Sequence, residues 1–161
     1  MSQQAGLFSL LPQVVDAVRV PVIAAGGVAD GRTAAAAFML GASAVQLGTA
    51  FLHCEEANMR DAHRAALAQA NESCTVVTDL ISGRPARYIR NRLVDELAAS
   101  GLKPLPIPAQ LSLTMPLGES GDRELTPLFA GQSASLARYR NGAELVQRLA
   151  EETDRRLRAF V

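Results

Sequence analysis

Two stretches decide the fold of this chain: Pro21-Val-Ile-Ala-Ala-Gly-Gly-Val-Ala-Asp-Gly31 and Gly41-Ala-Ser-Ala-Val-Gln-Leu-Gly-Thr-Ala-Phe51. The apolar run Val20 to Ala25 contains β-branched residues, which predicts a strand buried on both faces, as in a parallel sheet. A helix made mostly of alanine is expected over Arg32 to Leu40, and Ala44 to Leu47 predicts the next strand. This alternation of strand and helix with short connections is typical of βα units on a parallel sheet.

The remaining patterns predict further elements on either side of this strand pair. Apolar residues at helical spacing predict a helix over 7–18, and Asp30 and Gly41 are placed to cap the alanine-rich helix at its two ends. The other predictions are a helix over Glu55 to Ala70 with two acids in its first turn, a third strand over Cys74 to Leu80, a helix near Ala86 to Ala99, a turn or short helix over Leu125 to Gln132, and a closing helix that starts at Asn141. The closing helix is expected to bury an apolar face that carries Leu145, Val146, Leu149, Leu157 and Phe160.

The composition excludes several classes of partner. The 161 residues carry 16 basic and 16 acidic side chains, and aromatic residues make up 4% with no tryptophan. We therefore expect no nucleic-acid partner, because both a basic surface and stacking platforms are missing. No apolar run is long enough for a signal peptide or a membrane span. Cys54 and Cys74 are expected to be reduced thiols, so the chain is predicted to be cytoplasmic with no membrane partner.

The strongest candidate site consists of the two glycine turns that follow the predicted strands. Gly26 and Gly27 end the first strand, and the turn after the second strand is formed by Gln46, Leu47, Gly48 and Thr49. Because the carboxyl ends of parallel strands meet at one edge of a sheet, the turns should be neighbours. Backbone N–H groups without side chains suit an anion, and phosphate in particular. The alternative is a pair of ordinary tight turns, and the absence of a G-x-G-x-x-G motif argues against a dinucleotide site.

The two histidines are weaker candidates. His53 follows the second strand on the expected ligand side, where it is either a base or an exposed loop residue. His63 lies in a predicted helix and is expected on the surface. Neither shows the spacing of a metal-ligand cluster, so no metal site is predicted.

A run of arginines follows the third predicted strand. Arg84 and Arg87, within Ser82-Gly-Arg-Pro-Ala-Arg87, are candidates for contact with an anionic ligand. Arg90 and Arg92 are expected to pair with acids on the same helix. Those acids are Asp95 and Glu96.

Four motifs, taken in this order, resemble the nitronate monooxygenase family, once called 2-nitropropane dioxygenases. They are Pro21 to Arg32, Gly41 to Leu52, Ser82 to Arg87, and Leu128-Phe-Ala-Gly-Gln132. The similarity runs from about Gly6 to the last helix. Other FMN barrels, such as the flavin-type enoyl reductases, carry strings related to the first two motifs, so the combination of four is the more specific signal.

The resemblance implies a TIM-type (β/α) barrel that binds FMN and oxidises alkyl nitronates with O₂. Gly27 matches the phosphate-contacting glycine of the family, with Gly26 beside it. The second FMN-phosphate segment is matched by Gln46, Leu47, Gly48 and Thr49. Gln132 is the last residue of the fourth motif. It is expected either to line the same pocket as the two glycine turns or to lie apart from it.

The chain is about half as long as family members with these motifs. The family's catalytic histidine lies upstream of the segment that matches this chain, so no catalytic residue is expected here. The expectation is an α/β chain of residues 1–161 forming one C-terminal half-barrel, with the last three βα units, C-terminal helices and an irregular excursion at about 100–131. Three alternatives stay open: a monooxygenase fragment with weak or no activity alone, an FMN-dependent NAD(P)H:quinone or enoyl reductase, or a non-catalytic remnant that binds flavin phosphate. Because three strands cannot close a barrel, association of two copies over the open sheet is also considered.

Overall fold

The computed structural model describes residues 5–159, which group into two compact units. The first unit consists of residues 5–57 and 136–159, and the second of residues 58–135. Within the described residues, no helix is both long and apolar enough to cross a bilayer. Each unit is treated separately below.

The first unit is built on two short parallel strands. Strands β1 (Ile23–Ala25) and β2 (Ala44–Gln46) pair residue by residue along their whole length, so the predicted parallel arrangement of these two strands is confirmed. The elements of this unit are α1 (Leu7–Ala17), β1 (Ile23–Ala25), α2 (Gly31–Met39), β2 (Ala44–Gln46), α3 (Thr49–Leu52), a 3₁₀ turn (Ala134–Leu136, shared with the second unit) and the closing helix, α7 in chain order (Gly142–Arg158).

Helix α2 begins and ends where its capping residues predict. The Asp30 carboxylate accepts hydrogen bonds from the backbone N–H groups of Arg32 and Thr33, at 3.1 and 3.0 Å. The Thr33 hydroxyl in turn accepts from the backbone N–H of Asp30, which completes a capping box. Gly41 follows the helix with φ +96°, a conformation that favours glycine.

Strand β1 is buried on one face only, so the prediction of burial on both faces is wrong. Ala24 is 1% exposed, whereas the Ile23 side chain before it is 60% exposed. The sheet of this unit has two strands among the described residues, and none of its helices covers the face that carries Ile23. The apolar sequence of a strand shows which of its residues can be buried. The neighbouring elements determine which of them are buried.

Helix α7 packs closely against the start of α2. A side chain at Gly31 would overlap the backbone and Cβ of Glu152, so glycine is needed at this contact. Leu145 is 1% exposed, which confirms its predicted burial, and it joins a core cluster with Ala29, Ala50 and Cys54. Val146 is 53% exposed, which corrects its predicted burial: adjacent helical residues differ by about 100° in direction. The predicted core residue Phe160 lies outside the described residues.

The helix predicted over Glu55 to Ala70 forms only in its second half. Chain segment 53–60 is a series of turns, and the helix begins at Asp61. The Glu56 carboxylate instead accepts the backbone N–H of Gly142 at 3.0 and 3.1 Å, at the start of α7. The hydrogen bond from its own backbone N–H, followed by the bonds from Gly142, lowers the pKa of Glu56. An acid predicted to stabilise its own helix therefore stabilises the N-terminus of another one.

The second unit contains an antiparallel hairpin where a third βα unit was predicted. Strand β3 (Thr75–Thr78) pairs antiparallel with β4 (Ala86–Ile89), so that Thr75 lies opposite Ile89. The third strand therefore exists, but the next strand, Ala86–Ile89, takes the first part of the helix predicted near Ala86 to Ala99. That helix forms only from Arg92 onward. The elements of this unit are α4 (Asp61–Ala68), β3 (Thr75–Thr78), β4 (Ala86–Ile89), α5 (Arg92–Ala99), α6 (Ala109–Thr114) and a 3₁₀ helix (Met115–Ser120).

The excursion predicted at about 100–131 is irregular in most of its length, apart from α6 and the 3₁₀ helix. Leu125 to Gln132 forms no helix. Phe129 instead makes a single antiparallel bridge to Tyr88, and the two rings lie 4.5 Å apart between centroids. The segment therefore extends the hairpin as a third short edge.

Candidate anion-binding site

The two glycine turns leave neighbouring strands at the same edge of the sheet. The last register pair is Ala25 with Gln46, so Gly26 and Leu47 are the next residues on each side. Paired strands lie about 4.8 Å apart, which places the two exits side by side as predicted. Gly26 and Gly27 have φ values of +88° and +75°, so both adopt a conformation that L side chains rarely adopt.

The backbone at these turns is open for a ligand. An added Cβ atom at Gly26, Gly27 or Gly48 would meet no other atom within 4 Å. Within residues 5–159, no group accepts a hydrogen bond from the backbone N–H of these three glycines. We call the backbone of Gly26, Gly27 and Gly48 the glycine cradle. Its unused donors and the empty space above them suit an anion such as phosphate.

The N-terminus of α2 is not available to bind an anion. Its first N–H groups already donate to the Asp30 carboxylate, and Gly31 N donates to Glu152 at 3.3 Å. Burial opposes ionisation of Asp30, but the hydrogen bond from Thr33 and the Arg32 guanidinium outweigh it, so the pKa of Asp30 lies below its ordinary value. Arg32 lies 2.6 Å from this carboxylate and neutralises its charge. An anion in this unit would therefore bind at the cradle, not at this helix terminus.

The other predicted site residues differ in the groups that they can offer a ligand. Gln46 is exposed at the end of β2, where its amide can donate and accept. The Leu47 side chain packs against the cluster around Leu145, so Leu47 can offer a ligand only its backbone. Thr49 is half-buried in the first turn of α3. His53 ends this short helix at its C-cap.

An apolar cavity lies beside the cradle but does not suit a charged group. Its volume is about 160 Å³, and Gly26 and Gly27 border it together with side chains of α1 and α2. Leu7, Leu11 and Leu40 are among the lining residues. A phosphate there would lose its hydration without gaining charged partners. The open side of the glycine turns is therefore the better anion position.

The arginine candidates belong to the second unit. Arg87 donates to the Thr75 hydroxyl at 3.1 Å across the hairpin. Arg90 pairs with Asp95 at 2.6 Å, as predicted. The predicted pair of Arg92 with Glu96 is also present, at 3.3 Å. The expectations that Arg84 contacts a ligand and that Leu128–Gln132 lines the same pocket stay predictions.

His63 is a buried residue, so its predicted surface position is wrong. It is 5% exposed, and its Nε2 lies 2.8 Å from the carbonyl oxygen of Phe129. A carbonyl can only accept, so Nε2 carries the hydrogen and donates it. Burial lowers the pKa of His63, and the hydrogen bond to Phe129 only partly offsets this effect. The spacing of Ala62, Ala66 and Leu67 around it was the available sign of a buried helix face.

The buried histidine predicts a loss of stability in mild acid. The unfolded state gains the His63 proton near pH 6.5, whereas the folded state resists it to a lower pH. The contribution of neutral His63 to the free energy of unfolding is therefore complete above about pH 6.5. It decreases as the pH falls toward the folded-state pKa, by about 1.4 kcal/mol for each unit by which the two pKa values differ. Urea unfolding at pH 7.5 and 5.5 measures it. In His63→Gln, whose amide can still donate to Phe129, the loss between these pH values should shrink, and an unchanged loss would contradict this assignment.

Comparison with known proteins identifies the sequence family. The sequence model of nitronate monooxygenase matches residues 1–152. A protein of Staphylococcus haemolyticus named "Probable nitronate monooxygenase" is 41% identical over 151 residues, which are 91% of this chain and 42% of that protein. A protein of the same name from Staphylococcus saprophyticus is 36% identical and is covered to 43%. The chain thus spans less than half the length of these relatives.

Solved structures with a similar fold include two proteins of about twice this length. A nitroalkane oxidase from Streptomyces ansochromogenes matches 97% of this chain with a TM-score of 0.89 and 38% identity, over 46% of its own length. FabK from Thermotoga maritima matches 98% of this chain with a TM-score of 0.82 and 32% identity, over 53% of its own length. The match over nearly the whole chain, in sequence and in fold, shows that the chain belongs to the nitronate monooxygenase family.

Proposed function

We propose that this chain supplies the FMN-phosphate site of an FMN-dependent oxidoreductase that oxidises alkyl nitronates with O₂. The observation that carries the proposal is the glycine cradle. Three backbone N–H groups that have no acceptor among residues 5–159 lie at the carboxyl edge of a parallel strand pair, with open space above them. Ligands of parallel α/β sheets bind at that edge, and adjacent loops there form phosphate sites in barrels.

The residues present fit the phosphate group of FMN. Gly26, Gly27 and Gly48 would donate backbone hydrogen bonds to its oxygens, which can approach because no Cβ atom is in the way. The amide of Gln46 and the hydroxyl of Thr49 are further polar groups of the same turns. The backbone of Leu47 lies between Gln46 and Gly48 in the second turn. The ion pair between Asp30 and Arg32 keeps the neighbouring carboxylate from repelling the phosphate.

The flavin, when bound, would supply the electron transfer of the reaction. This chain would hold the phosphate end of the cofactor and so fix its position. We assign no catalytic residue to the chain, and we expect it to bind FMN with little nitronate turnover by itself. Family membership and the similarity to a nitroalkane oxidase support nitronates as the substrate class.

A comparison of FMN with riboflavin tests the phosphate site. Both carry the same ring system, but riboflavin lacks the phosphate. We expect FMN to bind at least tenfold more tightly in a flavin-fluorescence titration, because charge-assisted hydrogen bonds are worth about 1.5–3 kcal/mol each. Inorganic phosphate should compete with FMN. Equal affinity for the two flavins would contradict the proposal.

Oxygen uptake tests the proposed reaction separately from cofactor binding. The FMN-loaded chain and a relative of full length are compared with an alkyl nitronate as substrate. Nitronate-dependent uptake by the relative, and little by this chain, is the expected result. Oxidation of NAD(P)H without nitronate would favour the reductase alternative, and rapid nitronate turnover by the chain alone would show that its own residues complete the reaction.

A further inference from the structure

The second unit contains a cavity that the proposed function does not use. It has a volume of about 210 Å³ and opens to the surface beside the start of α4. Its principal lining residues are Met59, Arg60, His63, Met115, Pro127 and Phe129. All of them belong to the second unit, so this cavity is described independently of the glycine cradle.

His63 gives the cavity a specific hydrogen-bond acceptor. Its Nε2–H is already engaged by the Phe129 carbonyl at 2.8 Å, which fixes the tautomer. Because burial lowers the pKa of the imidazole, the ring is neutral near pH 7 and its Nδ1 carries a lone pair. In the part of the chain that the structure describes, no donor is bound to this second nitrogen. A buried imidazole that lines a cavity in this state is suited to a ligand hydroxyl or N–H.

Arg60 gives the same cavity a positive charge. It is the N-cap residue of α4, with extended backbone, and it lines the cavity together with His63. Its guanidinium packs over Gly118, where an added Cβ would lie 2.5 Å from Nη1. Within residues 5–159, no carboxylate lies within ion-pair distance of Arg60. A guanidinium in that position is available to bind a carboxylate in a bidentate manner.

Most of the remaining wall is apolar, and Asn58 and Thr126 are its other polar residues. The Phe129 ring contacts the fully buried Tyr88 at 4.5 Å between centroids, and yet 41% of Phe129 is exposed. Met115 also lines the cavity and is 43% exposed. Methionine and phenylalanine side chains around a cavity favour a flat aromatic ligand, through contacts with the thioether and with the ring.

We propose that this cavity binds a small hydroxyaryl carboxylate, with the carboxylate on Arg60, the ring between Met115 and Phe129, and the hydroxyl donating to His63 Nδ1. The size fits this class of ligand. A cavity of about 150 Å³ holds benzene, so the larger volume here leaves room for the ring substituents. The site combines one cation, one neutral acceptor and an apolar slot. A matching ligand therefore carries a carboxylate, a hydroxyl group and an apolar ring.

Calorimetric titration of the full chain with three related probes tests the site. 4-Hydroxybenzoate carries both polar groups, benzoate lacks the hydroxyl, and phenol lacks the carboxylate. We expect 4-hydroxybenzoate to bind about tenfold more tightly than either analogue, a difference of about 1.4 kcal/mol. Absence of 4-hydroxybenzoate binding, or equal binding of all three probes, would overturn the proposal.

Two variants test whether 4-hydroxybenzoate binds in this cavity. Arg60→Gln should weaken 4-hydroxybenzoate about tenfold but leave phenol unchanged, because only the carboxylate contact is lost. The exposed Arg92→Gln, which removes a similar charge outside the cavity, is the matched control and should leave all affinities unchanged. If Arg92→Gln weakens binding as much as Arg60→Gln, the effect is one of overall charge and the assigned site is wrong. FMN titration of the same variants should not change, which separates this result from a failure of the cradle.

Discussion

Replacement of Gly27 by alanine is expected to weaken FMN binding by at least tenfold. Gly27 has φ +75°, and nothing lies within 4 Å of an added Cβ. The new methyl group would therefore occupy the open side of the turn, where the phosphate must approach the backbone. The same change costs about 1–2 kcal/mol of stability, because alanine is strained in the left-handed region. Flavin-fluorescence titration gives the affinity, and thermal melting gives the stability.

Gly121→Ala is the matched control for this experiment. Gly121 has φ +74°, also with nothing within 4 Å of an added Cβ, but it follows the 3₁₀ helix of the second unit. The backbone strain should be nearly the same in the two variants, so their losses of stability should agree. Only Gly27→Ala should lose FMN affinity. Equal FMN affinity in the two variants would show that Gly27 does not contact the cofactor.

Leu145→Ala is expected to reduce the free energy of unfolding by about 2–5 kcal/mol. Leu145 is 1% exposed and packs with Ala29, Ala50 and Cys54 in the core of the first unit. Truncation to alanine would leave a cavity in this core, because the surrounding residues relax into the space only in part. Urea unfolding followed by circular dichroism measures the change.

Val146→Ala tests the same helix one residue further along. Val146 is 53% exposed, so its truncation leaves no cavity and should change stability by less than about 0.5 kcal/mol. Alanine also has the higher helix propensity, which offsets the small loss of contact. Equal losses of stability in Leu145→Ala and Val146→Ala would show that α7 packs in a different rotation.

Local patterns in the sequence were enough to predict the part of the fold that forms the cradle. A strand that ends in two glycines, an Asp30 cap and Gly41 after the helix are local signals, and each acts through its own backbone. The order of these signals fixes the parallel pairing of β1 with β2. The positions of the turns at one edge then follow from the register.

The errors arose where distant contacts decide the structure. The residues Ala86 to Ile89 have no strong strand pattern, and they form β4 because β3 and Phe129 provide partners on its two sides. His63 has polar neighbours in sequence, and its burial follows from the carbonyl of Phe129, 66 residues away. Glu56 likewise caps a helix 86 residues further along the chain. The contacts of Glu56 and Phe129 have no signal within a local window of sequence. For His63, the helical spacing of its apolar neighbours was a local sign of burial, but not of its partner.

Amide chemical shifts test most directly whether the glycine cradle binds the FMN phosphate. Two-dimensional ¹H–¹⁵N spectra of the labelled chain are recorded with FMN and with riboflavin. We expect FMN to shift the amide signals of Gly26, Gly27 and Gly48, whose N–H groups have no acceptor in the described residues, while riboflavin leaves them in place. FMN binding that leaves these three signals unchanged would contradict the account.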